Sequence, residues 1–229
     1  MATKTKKKHP HIHLWDMPKH YFPRNSDAIN YRNDVLQITR SLNYVNTRVQ
    51  HNAQICAFNI KAITQTNGYN ASPRETFETV EAFVYHYENY CFRVYAFREK
   101  LLQFLNSVLQ IGYDEREVAI KHIIINPVIR VAKVLPLLET FNKPKGVLKK
   151  LIKDRNSLTH KLYYGKDFDY LLRPTKDIDP HHFKEWCGDW KSQIVSRAKE
   201  INKAERLISE MNNHLAQKII DYKDSLKTV

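Results

Sequence analysis

The chain has 229 residues, with only 5 Gly and 9 Pro beside 42% hydrophobic and 27% charged residues. This composition is typical of a regular, helix-rich globular protein large enough to bury a sizeable core. The N-terminal "MATKTKKKHPHIHLW" lacks the apolar region of a signal peptide, and no apolar run reaches the ~20 residues of a membrane span. Three widely separated cysteines without CxxC spacing predict reduced thiols, two of them in the core, and a cytoplasmic protein.

The net charge of +13 is concentrated in two segments. Residues 1–24 carry 6 basic against 1 acidic residue, and residues 143–176 carry 10 against 3, whereas the two remaining spans are nearly neutral. Such clustering predicts a polyanionic partner, above all a nucleic acid. The alternative is a basic protein whose lysines only solvate a helix face.

Residues 1–25 are basic and contain three prolines, so we predict a largely irregular N-terminal arm. His9, His11 and His13 alternate along this arm and have the chemistry to bind a metal ion. A structural or catalytic zinc site needs further ligands, and none lies at a recognisable spacing. We therefore predict no metal site and no cofactor.

Residues 26–229 are predicted to form a single helical domain. A first long helix starts near Ala28 and carries apolar residues at steps of three and four: Leu42, Val45, Val49, Ala53, Cys56, Ile60 and Ile63. Gly68 and Pro73 interrupt it, because glycine favours a helix C-terminus and proline prevents continuation. A second long helix is predicted from about Arg74, with Gly112 and Asp114 ending it. Its apolar stripe is formed by Phe77, Val80, Val84, Tyr87, Cys91, Val94, Leu101, Leu105 and Val108.

The second half of the chain is predicted to contain four more helices. They are a short one over 115–125, one opened by Pro127 and continuing to about residue 141, one starting at Val147, and a long last one over 182–226. Residues 142–146 read as a turn and 171–182 as a loop. No segment shows strand alternation and no period repeats. The expected fold is all-α: an antiparallel bundle with long first, second and last helices.

The segment "DRNSLTH" (154–160) places Arg155, Asn156 and His160 within the most basic part of the chain. The spacing of one arginine and one histidine is common by chance, but the apolar helix face that precedes this group would hold it against a partner. "RNSLTH" resembles the Arg-polar-x3-His motif of the HEPN superfamily, and the order of predicted helices agrees. The aromatic-rich residues 85–106 also resemble the long second helix of some HEPN branches.

This resemblance implies a metal-independent endoribonuclease whose active site forms where two copies of the motif meet in a homodimer. Histidine has a reference pKa of about 6.5, so His160 would exchange protons with the 2′-hydroxyl or the leaving oxygen of RNA. Arg155 would hold the scissile phosphate, and Asn156 would orient His160 or bind a phosphate oxygen. The expected contacts to the RNA are made by Lys149, Lys150, Lys153, Lys161 and Tyr164.

The resemblance further implies a toxin or antiviral effector, with an antitoxin or regulatory protein as a possible partner and no membrane association. In HEPN toxins of the Arg-x4-His-x-Tyr type the antitoxin modifies the tyrosine, but Leu162 stands at that position here, followed by Tyr163 and Tyr164. The competing hypothesis is a non-catalytic helical module that binds RNA or a nucleotide, or serves as an assembly subunit.

Overall fold

The computed structural model describes residue 14 and residues 29–65, 73–114, 118–160 and 180–226. Within these ranges the chain forms seven helices and no strand, which confirms the all-α prediction. The helices are α1 (Ile29–Gln65), α2 (Pro73–Val108), α3 (Ile120–Ile125), α4 (Pro127–Val131), α5 (Leu135–Glu139), α6 (Val147–His160) and α7 (Pro180–Leu226). The predicted arm lies outside the described residues except for Leu14, and so does most of the predicted loop over 171–182.

The chain divides into two compact units, and the single domain over 26–229 stays a prediction. One unit contains residues 1–43, 101–139 and 208–229, and the other contains residues 44–100 and 140–207. The motif on α6 belongs entirely to the second unit.

In the first unit the beginning of α1 lies beside the end of α2. The Tyr31 hydroxyl, in the first turn of α1, donates a 2.8 Å hydrogen bond to the carbonyl of Val108, the last residue of α2. This is the arrangement expected of antiparallel neighbours joined by a short connection. The buried side chains of this unit include Leu42, Leu102, Phe104, Ile123, Ile129, Leu138, Leu215 and Ile219.

In the second unit α2, α6 and α7 share an aromatic and aliphatic core. Phe83 and Tyr87 stack with ring centroids 6.1 Å apart on the buried face of α2. Leu148 and Leu151 of α6 are fully buried, as is Ile194 of α7. Because Leu148 and Leu151 bury one side of α6, its polar residues lie on the other side, and this fixes the orientation of the motif.

The second long helix ends earlier than predicted, at Val108 rather than near Gly112. Gln110 adopts a left-handed conformation with φ 53°, which a continuing helix excludes. The Asn106 side chain closes the turn, because its Oδ1 accepts from the Tyr113 amide at 3.0 Å and its Nδ2 donates to the Tyr113 carbonyl at 2.8 Å.

The predictions between residues 115 and 141 need two corrections. Of the helix predicted over 115–125, residues 115–117 lie outside the described residues, and α3 begins only at Ile120, because Ala119 is extended with φ −129° and ψ 150°. Pro127 opens a helix as predicted, but that helix stops at Val131 and α5 begins at Leu135. Pro136 explains the break: it lacks an N–H and its ring would clash with the carbonyl four residues earlier in a continuous helix.

The turn predicted over 142–146 is confirmed and leads directly into α6. The Gly146 amide donates to the Lys143 carbonyl at 2.8 Å, and Lys145 has a positive φ of 58°. A Cβ at position 146 would lie 2.8 Å from that carbonyl oxygen, so the turn needs glycine there. Among the helices described, none has the length and apolarity needed to cross a membrane.

Candidate active site on helix α6

The three residues of the predicted catalytic motif lie on the second half of α6. Asn156 is exposed and Arg155 is half-buried. His160 occupies the helix four positions after Asn156, so the two backbone positions share a face, whereas Arg155 and His160 are separated by ~140° around the axis. Lys161, Tyr163 and Tyr164 lie outside the described residues, so their predicted roles stay predictions.

Arg155 packs against aromatic rings of α2. Its guanidinium carbon lies over the Tyr95 ring, 4.0 Å from the centroid, and 5.7 Å from the centroid of Phe92. Nη1 also donates a 3.1 Å hydrogen bond to Oδ1 of the neighbouring Asn156. Stacking on a ring and bonding to a side-chain oxygen restrict the rotamers of a long side chain, so the planar fork of this arginine is oriented before any ligand binds.

The Tyr95 ring carries a second arginine. The Arg98 guanidinium carbon lies 4.7 Å from the same centroid, and its Nε and Nη2 donate to Oε1 of Glu99 at 2.9 and 2.7 Å. Glu99 therefore offsets the charge of Arg98, whereas Arg155 is bonded to a neutral amide. Of the two arginines on this ring, only Arg155 belongs to the predicted motif.

Asp154, directly before the arginine, points into a polar cluster between α2, α6 and α7. Its Oδ2 lies 3.5 Å from Nη1 of Arg197 and 3.3 Å from the Tyr87 hydroxyl. Arg197 donates in turn to Glu200 at 3.0 Å. The side chains of Asp154 and Arg197 are only 19% and 14% exposed, so their attraction is screened less than that of a surface pair. The cluster fixes α6 to α7 one residue away from Arg155.

Glu200 connects this cluster to Lys150, which is one helical turn before Asp154 on α6. Lys150 Nζ forms an ion pair with Glu200 Oε1, and the Tyr87 hydroxyl lies 3.4 Å from Oε2. Burial alone would raise the pKa of Glu200, but the hydrogen bonds and positive charges of Lys150 and Arg197 outweigh it, so the pKa lies below the ordinary 4.5. Glu200 is therefore ionised at neutral pH.

The lysines predicted to contact RNA are not equivalent. Lys149 and Lys153 are exposed on α6. Lys150 is also accessible, at 46% exposure, but its charge is already paired with Glu200. Sequence alone did not identify this pairing, because Glu200 is fifty residues away along the chain.

Sequence reasoning also missed the aromatic support of Arg155. Tyr95 and Phe92 belong to "YHYENYCFRVYAF", a segment whose aromatic pattern indicates the second long helix but not a contact with the motif. The available signal was spacing: Tyr85, Phe92 and Tyr95 follow steps of seven and three, which place them on one face of α2. Tyr85 and Phe92 are 61% and 38% exposed, unlike the buried aromatics Tyr87, Tyr90 and Phe97, each of which lies two positions from one of them or from Tyr95.

An all-α chain with long first, second and last helices, and an Arg–Asn pair followed by a histidine on a late helix, has the features of the HEPN class. The family model described as HEPN_Cthe2314-like HEPN matches residues 37–222 of the chain. This match includes α2, α6 and most of α1 and α7, and the chain therefore belongs to the HEPN_Cthe2314-like family. No curated protein and no solved structure matches the chain.

Proposed function

We propose that the protein is an endoribonuclease that cleaves RNA through attack of a 2′-hydroxyl on the adjacent phosphate. One observation supports this proposal most strongly: a half-buried arginine of the HEPN motif is held over the ring of Tyr95 and hydrogen-bonded to Asn156. A guanidinium oriented in this way has lost its rotamer freedom before binding, which lowers the cost of gripping a phosphate.

In the proposed reaction each residue of the motif has a separate task. His160 accepts the 2′-hydroxyl proton or supplies one to the 5′-oxygen as the phosphorus–oxygen bond breaks, which leaves a 2′,3′-cyclic phosphate and a 5′-hydroxyl. Such proton transfer contributes about 10²–10⁴ in rate. Arg155 stabilises the negative charge that accumulates on the phosphate oxygens. Asn156, whose Oδ1 accepts from Arg155, orients the arginine.

The proposed active site requires two chains. The positions of Arg155 and His160 diverge by ~140° around α6, so one helix offers the phosphate only part of the required set. Two copies of α6 facing each other across a homodimer supply two arginines and two histidines around one cleft. Membership of the HEPN family supports this arrangement, and a toxin or antiviral role, with a regulatory partner, fits the same family.

The experiment that tests the proposal is cleavage of a single-stranded RNA in the presence of EDTA. We expect products with 2′,3′-cyclic phosphate ends from the wild-type chain and none from His160→Ala. His51→Ala, which removes an exposed histidine from α1, is the matched control and should cleave normally. A 2′-deoxy substitution at the cleaved nucleotide should block the reaction. Equal cleavage by His160→Ala and the wild type would refute the mechanism.

A non-catalytic RNA- or nucleotide-binding module is the second candidate. The charge distribution supports this second candidate as well, since RNA binding without cleavage is enough to explain the basic segment 143–176. The two functions differ in cells: an active ribonuclease should arrest growth of a bacterial host on induction, and Arg155→Ala should relieve the arrest. A binding module should be tolerated in both forms.

A further inference from the structure

The second unit contains a basic groove that is separate from the Arg155 site. It has a volume of about 260 Å³ and is lined by Lys145, Val147, Lys150, Ser196, Lys199, Glu200 and Lys203. The turn before α6 and the first turn of α6 form one wall, and α7 forms the other. We propose that this groove binds the phosphate backbone of single-stranded RNA next to the nucleotide held at Arg155.

The lining charges define the chemistry of the ligand. Four lysines and one glutamate give the groove a net charge of +3, and all four lysines are exposed. Ammonium groups on flexible stems attract phosphate oxygens without reading bases. Among the described residues that line the groove, none is aromatic, so none offers a ring on which a base would stack. The groove therefore suits the sugar-phosphate chain of RNA rather than its bases.

The helices aim these lysines in one direction. On α7, Ser196, Lys199, Glu200 and Lys203 follow steps of three and four residues, so they share one face. On α6, Val147 and Lys150 take the same step. Lys145 is added by the turn that Gly146 makes possible, since its backbone has a positive φ of 58°. Three chain segments thus converge on one groove.

The groove lies close to the motif along α6. Lys150 precedes Arg155 by five residues, which is about 7.5 Å along the helix axis and ~140° around it. An RNA strand whose phosphate is held by Arg155 therefore reaches the groove by passing around α6, which places a phosphate further along the strand there. That RNA is the ligand rests on the proposed function, whereas the groove itself is a property of the described residues.

Glu200 is predicted to weaken RNA binding in this groove. Its carboxylate forms an ion pair with Lys150 in the unbound protein, so a phosphate that enters the groove has to compete with Glu200 for this lysine. Glu200→Gln removes one negative charge and raises the groove charge from +3 to +4. We expect this variant to bind RNA about two- to fivefold more tightly, the gain associated with releasing one partly exposed ion pair.

The test measures binding separately from cleavage. The ligand is a fluorescein-labelled 2′-O-methyl RNA, which the proposed chemistry cannot cut, and fluorescence anisotropy is recorded with the full chain over a range of salt. We expect Lys199→Gln/Lys203→Gln to weaken binding about tenfold at low salt and to reduce the slope of log K against log salt by about 1.4, or ~0.7 per phosphate contact.

The matched control removes the same charge elsewhere. Lys121 and Arg130 are exposed on α3 and α4 and do not line the groove, so Lys121→Gln/Arg130→Gln should bind RNA as the wild type does. If the two double variants lose RNA affinity equally, the protein attracts RNA only through its general positive charge, and the proposal is overturned. Circular dichroism of each variant verifies that the helices are retained.

Two further outcomes separate this inference from the proposed function. If the wild type cleaves RNA and the lysine variant retains full affinity and salt slope, the groove proposal fails while the ribonuclease proposal stands. If the lysine variant loses affinity but no RNA is cleaved, the groove proposal stands and the ribonuclease proposal fails. ATP is the competitor: if it displaces the RNA at equal or lower concentration than unlabelled RNA, the groove is a nucleotide site and the proposal is wrong.

Discussion

At the scale of single residues, the feature that matters most is the support of one guanidinium by a ring. Arg155 is positioned over Tyr95, and that ring also carries Arg98. The two arginines differ in their partners, because Glu99 binds Arg98 and Asn156 binds Arg155. The chain therefore provides an internal comparison between two arginines that share one ring, of which only Arg155 belongs to the predicted motif.

This comparison makes a sharp test of the Arg155 role. Arg155→Lys keeps the charge but loses the planar fork, and we expect RNA cleavage to fall by about 10²-fold or more. Arg98→Lys makes the same chemical change on the same ring and should retain activity within about threefold. For Tyr95→Leu we expect a loss between these two, about fivefold, because a cation–π contact is worth ~1 kcal/mol. Full activity of Arg155→Lys in the RNA assay would contradict the assigned role.

The two described cysteines are confirmed as core residues, since Cys56 and Cys91 are both fully buried. Burial raises the pKa of Cys56 from 9.0 to about 12, and it also raises the pKa of Cys91. The reactive thiolate is then only about one part in ten thousand of Cys56 at pH 8. We expect neither cysteine to react with iodoacetamide in the native protein at that pH, while both react after denaturation. Peptide mass spectrometry measures this directly, and native labelling at the denatured rate would show that the thiols are accessible.

At the scale of helices, polar contacts attach α2 and α6 to α7. Tyr90 is fully buried on α2 and its hydroxyl donates a 2.9 Å hydrogen bond to Glu205 of α7. Arg197, Glu200 and Glu205, within about three turns of α7, thus contact residues of α2 or α6. Each of these side chains compensates the burial of another polar group, so the contact between the helices is specific as well as apolar.

Glu205 gives the protein a predictable pH dependence. Burial raises the pKa of Glu205 above 4.5, and the hydrogen bond from Tyr90 offsets only part of this. The folded state therefore keeps the Glu205 proton up to a higher pH than the unfolded state does. The stability contributed by protonated Glu205 is fully present below about pH 4.5 and is lost as pH rises through the folded pKa. Glu205→Gln keeps an acceptor for Tyr90 without a charge, and we expect it to raise the melting temperature at pH 7.

The pH profile distinguishes this effect from a general improvement in packing. The difference in melting temperature between Glu205→Gln and the wild type should be largest at pH 7 and close to zero at pH 4. Thermal unfolding followed by circular dichroism at both values is sufficient. A difference of the same size at both pH values would mean that ionisation of Glu205 is not its cause.

Most of the helical architecture was predictable because burial repeats with the helical period. The predicted stripe of α2 is buried at Val80, Val84, Tyr87, Cys91, Val94, Leu101, Leu105 and Val108. The predicted stripe of α1 is less accurate, since Asn46 and Asn59 are buried where neighbouring Val45 and Ile60 are only partly so. Polarity alone places asparagine outside a core, so the apolar pattern misses both positions.

The site could be predicted only in part, for a physical reason. Arg155, Asn156 and His160 are close in sequence, so a motif identifies them. The ring of Tyr95 and the carboxylate of Glu200 are sixty and forty-five residues away from Arg155 and reach the site through packing of α2 and α7. Periodicity gives the face on which such a residue lies, but not which helix that face meets.

At the scale of the whole molecule, the central prediction is that activity depends on two chains. A single chain has a mass of 27.2 kDa, and we expect twice this mass in solution by light scattering. Heterodimers of a wild-type chain and an Arg155→Ala/His160→Ala chain, purified through two different tags, test the composite site. If each chain cleaved alone, such heterodimers would retain half the wild-type activity. A shared site should leave far less than half, and homodimers of the double variant should be inactive.

The contact of Arg197 with both Asp154 and Glu200 has a consequence for sequence divergence within the family. Arg197 is only 14% exposed, so its charge destabilises the fold once its carboxylate partners are lost. The carboxylates of Asp154 and Glu200 destabilise the fold in the same way if Arg197 is lost. Positions 154, 197 and 200 should therefore change together among relatives, whereas the exposed Lys149 and Lys153 should drift independently. Position 95 should keep an aromatic ring wherever position 155 keeps its arginine. Substitution patterns, read in this way, would separate the residues that position Arg155 from those that only share its neighbourhood.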